Sequence, residues 1–326
     1  MEIIFLGTSS GTPTKTRNVS GIVIKKSDTK AWCLVDCGEA TQHQILKTKL
    51  ALNHLDAIMI THVHGDHCFG LPGLLASAAM AGRTQPITII APAAIKQLID
   101  TAQVISDTFL PYEIDFIAVE SMNESITLSD FSVNAHELSH RVRSFAYGFT
   151  ESGIERSLNA EKLKADEIPP GPVWGQIQAG KNIKLDDGQE IQASDYWLPA
   201  RKPRKVVVGG DNDTPELLTE TISDTDLLIH EATYTQQIAE KVGPGPQHSS
   251  AEKVAEFAQK QQLKNLILTH FSARYQYGDS QGSNISEIEQ EARAHYQGQL
   301  FLANDFDCFM LNKSADVSLV DQRAND

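Results

Sequence analysis

Cationic side chains are scarce: 28 Lys and Arg against 42 Asp and Glu leave a formal charge of −14 with neutral His. That balance argues mildly against binding an extended polyanion, where affinity rests on Lys and Arg neutralising phosphates, although a local basic patch can coexist with a negative whole. Cysteine is scarcer still. Cys33, Cys37, Cys68 and Cys308 form no C-x-x-C pair and sit in apolar surroundings, which excludes a small disulfide scaffold and suggests buried thiols in a reducing compartment. No window approaches 18 uninterrupted apolar residues, so no membrane span is expected. The opening MEIIFLGTSSG lacks a basic segment and a useful apolar one, so it does not read as a secretory signal, and a cytoplasmic protein is expected. Internal repeats and low-complexity tracts are absent as well. What remains is an ordinary globular composition, 41% hydrophobic and 21% charged, in a chain long enough to bury about three quarters of its unfolded surface.

The apolar runs EIIFLG (2–7), GIVIKK (21–26) and AWCLVDCG (31–38) are short, rich in β-branched or aromatic residues, and separated by Gly, Ser, Thr and Pro; they predict an N-terminal meander of strands. From residue 39 helical patterns (ATQHQILKTKL, GLPGLLASAAMAG, PAAIKQLIDTAQVI) alternate with the strands DAIMIT and QPITIIA. A second set begins near 205: KVVVGGD strand, TPELLTETI helix, DLLIHEA strand, SAEKVAEFAQKQQ helix, KNLILTH strand, then QLFLANDFDCFML. Two such halves predict an α/β sandwich of two sheets covered by helices, one domain over 1–326. Residues 150–200 interrupt the rhythm with a short helical piece, PPGP and a hairpin ending at Asp187-Gly188, and read as an inserted arm. Its basic residues Arg156, Lys162, Lys164, Lys181 and Lys184 are outnumbered by acidic ones, and the tail after Asn312 reads as frayed.

The chemistry concentrates in THVHGDH, residues 61–67, directly after the apolar run DAIMI. Three imidazoles and a carboxylate on a loop leaving a strand suit two adjacent divalent ions, since neutral His nitrogen and carboxylate oxygen are the usual ligands of catalytic zinc. His140 follows a strand, Asp211 ends KVVVGGD and His270 ends KNLILTH, each where open α/β sheets gather functional groups. Singly, each has an ordinary reading as a loop or capping residue. Together they supply what two zinc ions need: His62, His64 and His140 for one, Asp66, His67 and His270 for the other, and Asp211 bridging both. His43, His54, His136 and His295 read as solvated or structural. His230 and His248 remain, and a non-ligand His beside Glu231 makes a proton-handling pair.

At these residues the sequence resembles the metallo-β-lactamase fold superfamily, specifically its ribonuclease Z-like branch. LGTSSGTPTKTRNVSG, DCGEATQHQ, THVHGDHCFGLPGLL, LSHRV, NAEKLKADEIPPGP, IHEATY, QHSS, THFSARY and LANDF occur in that branch's order over almost the whole chain. The resemblance implies the αββα sandwich with its inserted arm, the seven ligands above, Asp66 also serving in proton transfer, His248 as proton donor oriented by Glu231, and a homodimer.

The branch contains transfer-RNA 3′-processing endonucleases, zinc phosphodiesterases and the alkaline arylsulfatases of marine bacteria. This chain departs from the nuclease pattern in having Asp211-Asn212 followed by Asp213 where Asp-Thr is usual, DCGEA where DCGEG is usual, and GDSQGSN after THFSARY. Asn212 and Asp213 put a polar and an acidic group beside the bridging ligand, which favours a compact aryl sulfate ester over a long polyanion. An arylsulfatase-like hydrolase is therefore the expectation, with a transfer-RNA 3′-processing ribonuclease or phosphodiesterase as the alternative and a non-catalytic binding module third. The arm is retained, which speaks for the nucleases, in which it grips transfer RNA. Lys15, Arg17 and Arg274 are the candidates to hold the anionic ester, whereas Arg201-Lys202-Pro203-Arg204-Lys205 reads as a solvated patch and LPGLL as part of a helix packed on the sheet.

Overall fold

In the computed structural model, which describes residues 1–154, 156–184, 188, 190–276 and 283–320, the β-branched runs assemble into two large sheets. The first takes β1 (Glu2–Gly7), β2 (Gly21–Lys25), β3 (Trp32–Val35), β4 (Leu55–Met59), β5 (Ile87–Ala91) and β6 (Ile114–Ala118). The second takes β7 (Ile126–Thr127), β8 (Phe131–Leu138), β9 (Ser144–Glu151), β10 (Lys205–Val208), β11 (Leu227–Glu231), β12 (Asn265–Thr269) and β13 (Gln299–Leu302). The chain then returns to the first sheet with β14 (Cys308–Leu311) and β15 (Val317–Val320). The orders are β15-β14-β1-β2-β3-β4-β5-β6 and β13-β12-β11-β10-β9-β8-β7. Strands β3 to β6 are parallel, as are β10 to β13, so each sheet gathers several carboxyl ends at one edge.

Because both faces of these strands are covered, alternate residues feed different cores. Phe5, Ile24 and Met59 of the first sheet meet Tyr147, Val208, Ile229 and Ile267 of the second in a core between the sheets. Outside the first sheet, Leu6, Ile58 and Ile89 pack under α3 (Leu71–Met80) and α4 (Ala93–Ser106), which follow the short α1 (Thr41–Ile45) and α2 (Gly65–Cys68). LPGLL thus packs on the sheet, through Leu71, Leu74 and Leu75. The arm, Glu151–Pro203, is a compact unit of its own. Its α5 (Ala160–Ala165) and α6 (Pro172–Gln178) enclose Leu163, Ile168, Ile177, Ile191 and Tyr196. Farther along, α7 (Gln236–Val242) precedes α8 (Ala251–Lys260) and α9 (Ile285–His295), and the last two cover the outer face of the second sheet through Val254, Phe257 and Ile288 on Val207, Leu228 and Leu268. Helix, sheet, sheet, helix is the expected sandwich.

Several local expectations change. TPELLTETI makes only a 3-10 turn at Pro215–Leu218, because Thr219, Thr221 and Ile222 are β-branched and resist continuing a helix. The tail does not fray at Asn312, since Val317 is buried and β15 pairs antiparallel with β14. In the basic run, Arg204 and Lys205 are buried: Arg204 Nη1 donates to the Leu311 carbonyl at 2.7 Å, and Lys205 Nζ donates to the Thr221 carbonyl at 2.8 Å and Asp224 Oδ1 at 2.6 Å. The arm pairs Ile183–Lys184 with Glu190–Ile191, while Asp187 of the expected turn lies outside the described residues, as does most of GDSQGSN. The four cysteines are buried and unbridged, and among the described residues no helix is long and apolar enough to cross a membrane.

Candidate metal centre

Residues 62–67 leave the end of β4 and enter α2, and Asp211, Glu231 and His270 leave the ends of β10, β11 and β12. The two sheets approach closely here. A Cβ on Gly210 would lie 2.7 Å from both Thr61 Cβ and Ser144 Oγ, so glycine is required for the chain to deliver Asp211. His270 itself has φ +58°, as Asp36 (+61°) and Gln247 (+56°) have left-handed backbones, a strain that surrounding contacts hold in place around this site.

Two donor sets carry the motif residues, His62–His64–His140–Asp211 and Asp66–His67–His270, the donor atoms in each lying within 4.8 Å of one another, and Asp211, His248 and His270 make a third group of the same compactness. In the first, His64 Nδ1 is 3.1 Å from His62 Nε2 and 3.2 Å from His140 Nε2. Asp211 Oδ2 is 3.5 Å from His62 Nε2 and 3.7 Å from His140 Nε2. In the second, His67 Nε2 and His270 Nε2 are 3.1 Å apart, and each is 3.4 Å from Asp66 Oδ2. Asp211 Oδ1 stands 3.4 Å from both of these nitrogens, so its two oxygens face the two sets separately.

The outward nitrogens decide whether the sets fit a cation. His67 Nδ1 donates to Asp36 Oδ2 at 2.7 Å and His140 Nδ1 donates to the Gln247 carbonyl at 2.9 Å. Thr61 Oγ1 donates to the Asp36 carboxylate and accepts from His62 Nδ1 at 3.0 Å; Thr233 Oγ1 donates to Glu231 Oε2 and accepts from His270 Nδ1 at 3.1 Å. Each of these rings therefore carries its proton on the outside and turns an Nε2 lone pair inward. The His67 and His270 Nε2 lone pairs, 3.1 Å apart, repel unless a cation lies between them, and imidazole nitrogen with carboxylate oxygen is the donor mixture of zinc. The residues fit.

The charge distribution agrees. Burial, then the neighbouring His67, His140 and His64 rings, pushes the His62 pKa well down, and burial foremost lowers His64 and His140, keeping these rings neutral. Burial would also lower His67, yet Asp211, Asp36 and Asp66 outweigh it and raise its pKa well above normal. Burial would raise Asp66, but the His67 and His270 rings hold its carboxyl well below the usual range.

His248 stands differently. Its Nδ1 donates to Glu231 Oε1 at 3.0 Å and Oε2 at 3.1 Å, and lies 3.7 Å from Asp211 Oδ2. Burial disfavours its charge, but Glu231 overcomes this and raises the pKa to about 9. Beside it opens a cavity of about 370 Å³ whose wall includes Tyr234, Gln247 and Lys253. The neighbouring His230 is wholly buried and faces away from both donor sets, with Nδ1 on the Glu231 carbonyl at 2.8 Å.

The cationic candidates divide. Arg17 is buried and holds the fold: Nη1 donates to Thr8 Oγ1 at 2.6 Å and the Ala303 carbonyl at 2.8 Å, Nη2 to Asn304 Oδ1 at 3.2 Å, and the guanidinium lies 4.9 Å over Phe271. Its assignment to substrate is therefore corrected. Lys15 is exposed on the same loop, and Arg274 is exposed with its guanidinium 5.1 Å over Tyr234, whose ring is 6.0 Å from His248. Sequence reasoning missed Asp36, Thr61, Thr233 and the Gly11 amide, which donates to Asp66 Oδ2 at 2.7 Å. Asp36 was findable, since it ends a strand run as Asp211 and His270 do.

Two sheets between helices, with paired His and Asp donor sets at the strand ends, define a metallo-β-lactamase-fold, metal-dependent hydrolase. The structure of human tRNase Z, short form, superposes with a TM-score of 0.65 at 27% identity, covering 95% of this chain and 99% of that one. A family model described as "Anti-Pycsar protein Apyc1" matches residues 1–150. Ribonuclease Z of Marinobacter nauticus is 52% identical over 98% of this chain and 99% of its own, and that of Pseudomonas putida 48% over 96% and 98%. The chain belongs to the ribonuclease Z family. These relatives overturn the arylsulfatase expectation, and the structure removes the Asn212 part of its premise, while Asp213 lines the cavity beside His248. Asn212 is fully buried, its Oδ1 accepting from the Ser139 and Thr214 amides and its Nδ2 facing His230, so it offers nothing to a substrate. The Asp213 carboxylate accepts from Thr214 Oγ1, and the Asp213 carbonyl accepts from Lys253 Nζ.

Proposed function

We propose that this chain is a transfer-RNA 3′-processing endonuclease that hydrolyses a phosphodiester with two zinc ions per chain. The carrying observation is 52% identity to a ribonuclease Z across nearly the full length of both chains, joined to two convergent donor sets sharing Asp211. His62, His64, His140 and Asp211 would hold one ion, and Asp66, His67, His270 and Asp211 the other. Ions held there supply Lewis acidity to the phosphodiester and lower the pKa of water enough for attack at neutral pH.

The chain's own groups supply the rest. Glu231 takes the His248 Nδ1 proton as a hydrogen bond, which fixes the ring and leaves Nε2 to give its proton to the oxygen departing from phosphorus. Asp66, held ionised, receives a proton from the attacking water and is steadied by the Gly11 amide. Arg274 and Lys15 offer cations to the backbone phosphates. A cytoplasmic homodimer belongs to the same proposal. Replacement of His248 by Ala tests the donor role: turnover should fall about 100-fold or more with zinc content unchanged. Loss of zinc from that variant would assign His248 to the ions instead.

A further inference from the structure

Asn212, the residue by which this chain departs from the usual Asp-Thr, occupies a junction. Its backbone N–H donates to Glu231 Oε1 at 2.8 Å and its carbonyl accepts from Ser249 Oγ at 2.6 Å. Its Oδ1 takes the amides of Ser139 and Thr214 at 3.2 and 3.1 Å, and that engagement orients the amide so that Nδ2 points at His230 Nε2, 3.1 Å away. His230 Nδ1 faces the Glu231 carbonyl at 2.8 Å and must carry the ring proton, so Nε2 is an acceptor and the Nδ2 donor completes a neutral pair with defined polarity. Both residues are 0% exposed. One residue is thereby tied to the neighbour of His140, to the neighbour of His248, to Glu231 directly, and through the chain to Asp211.

We propose that Asn212 and His230 are positioning residues: the buried amide–imidazole pair fixes the Asn212 backbone N–H against Glu231, and so aims the His248 ring at the departing oxygen. Neither touches substrate. The pair is uncharged, so it orders the Glu231 carboxylate without competing with His248 for it, and a buried polar pair with every group satisfied has one low-energy arrangement. The inference rests on the proposed role of His248 as proton donor.

That dependence sets the test. Losing an aimed proton donor matters most when the leaving oxygen is basic, so the readout is the ratio of kcat on a 4-nitrophenyl phosphodiester, an unsubstituted phenyl phosphodiester and a precursor transfer RNA. Asn212→Ala and His230→Leu should lose about tenfold more on the phenyl ester and the RNA than on the nitrophenyl ester, with zinc content unchanged and KM little altered. His230→Gln, whose amide can both accept from Asn212 and donate to the Glu231 carbonyl, should restore the ratio. The downfield proton resonance of His248 Nδ1–H should persist in the parent protein and His230→Gln and vanish in His230→Leu, a readout independent of turnover. If His248→Ala itself shows no dependence on the leaving group, the donor reading fails and this inference with it. Equal losses on all three substrates in His230→Leu, while His248→Ala shows the dependence, would overturn the positioning role alone. Should Asn212→Ala not fold, the comparison of His230→Leu with His230→Gln decides.

Discussion

Asp36 offers a sharp perturbation of the centre because it touches only one donor set directly. Its carboxylate accepts His67 Nδ1–H at 2.7 Å, the Thr61 amide at 2.8 Å and the Thr61 hydroxyl at 3.0 Å, all buried. In Asp36→Asn the amide oxygen can keep Thr61, and with it the hydroxyl that accepts from His62 Nδ1, but the amide NH₂ then confronts His67 Nδ1. The ring must give up that proton and take the other tautomer, placing N–H where the lone pair of Nε2 faced His270. Removing such an outer partner costs about 10–100-fold in metal affinity, or about 1.4–2.7 kcal/mol. The loss should fall on the ion held by Asp66, His67 and His270, and leave the His62–His64–His140 set nearly intact. Competition against a chromophoric chelator, resolved into two steps, measures both affinities, and a thermal melt confirms folding. Unchanged affinities, or equal loss of both ions from a folded variant, would refute the reasoning.

Arg17→Ala should destabilise the fold by about 2–4 kcal/mol, read in denaturant unfolding, because it removes the buried guanidinium and leaves Thr8 Oγ1, the Ala303 carbonyl and Asn304 Oδ1 without that donor; a change in KM with normal stability would return Arg17 to substrate binding. Ala40 stands where the family usually has glycine and has φ +61°, so Ala40→Gly should stabilise by roughly 1 kcal/mol and raise the melting temperature by about 2 °C; no gain or a loss would show the strain is not there. If the substrate is a precursor transfer RNA held at several phosphates, as proposed, its binding should weaken steeply with salt, whereas hydrolysis of a small nitrophenyl phosphodiester should respond little; equal salt responses would argue against extended RNA contact.

The sandwich and the donor residues were legible because each rests on local signals: short continuous apolar runs bounded by turn residues, and His and Asp placed just beyond the ends of those runs. What escaped was set by tertiary contact. Nothing in GTPTKTRN announces that Arg17 turns inward to Ala303 and Asn304, more than 280 positions away, while Lys15 stays in water. The helix expected in TPELLTETI stops after one turn because Thr219, Thr221 and Ile222 are β-branched. The substrate expectation rested on Asn212 and Asp213 lying beside the bridging carboxylate, and Asn212 is fully buried there. Its partners, Ser139, Thr214 and His230, come from separate segments, and only the fold reveals that its amide is buried among them.

We propose that the paired donor sets serve cleavage of a transfer-RNA precursor. The most direct measurement incubates a precursor carrying a 3′ trailer with protein shown by elemental analysis to hold two zinc ions per chain, and maps the products. The expected result is a single endonucleolytic cut at the trailer junction, abolished by a chelator, restored by zinc, and absent in Asp211→Ala, which should fail to retain either ion tightly. A precursor left intact by protein verified to carry both ions would contradict it.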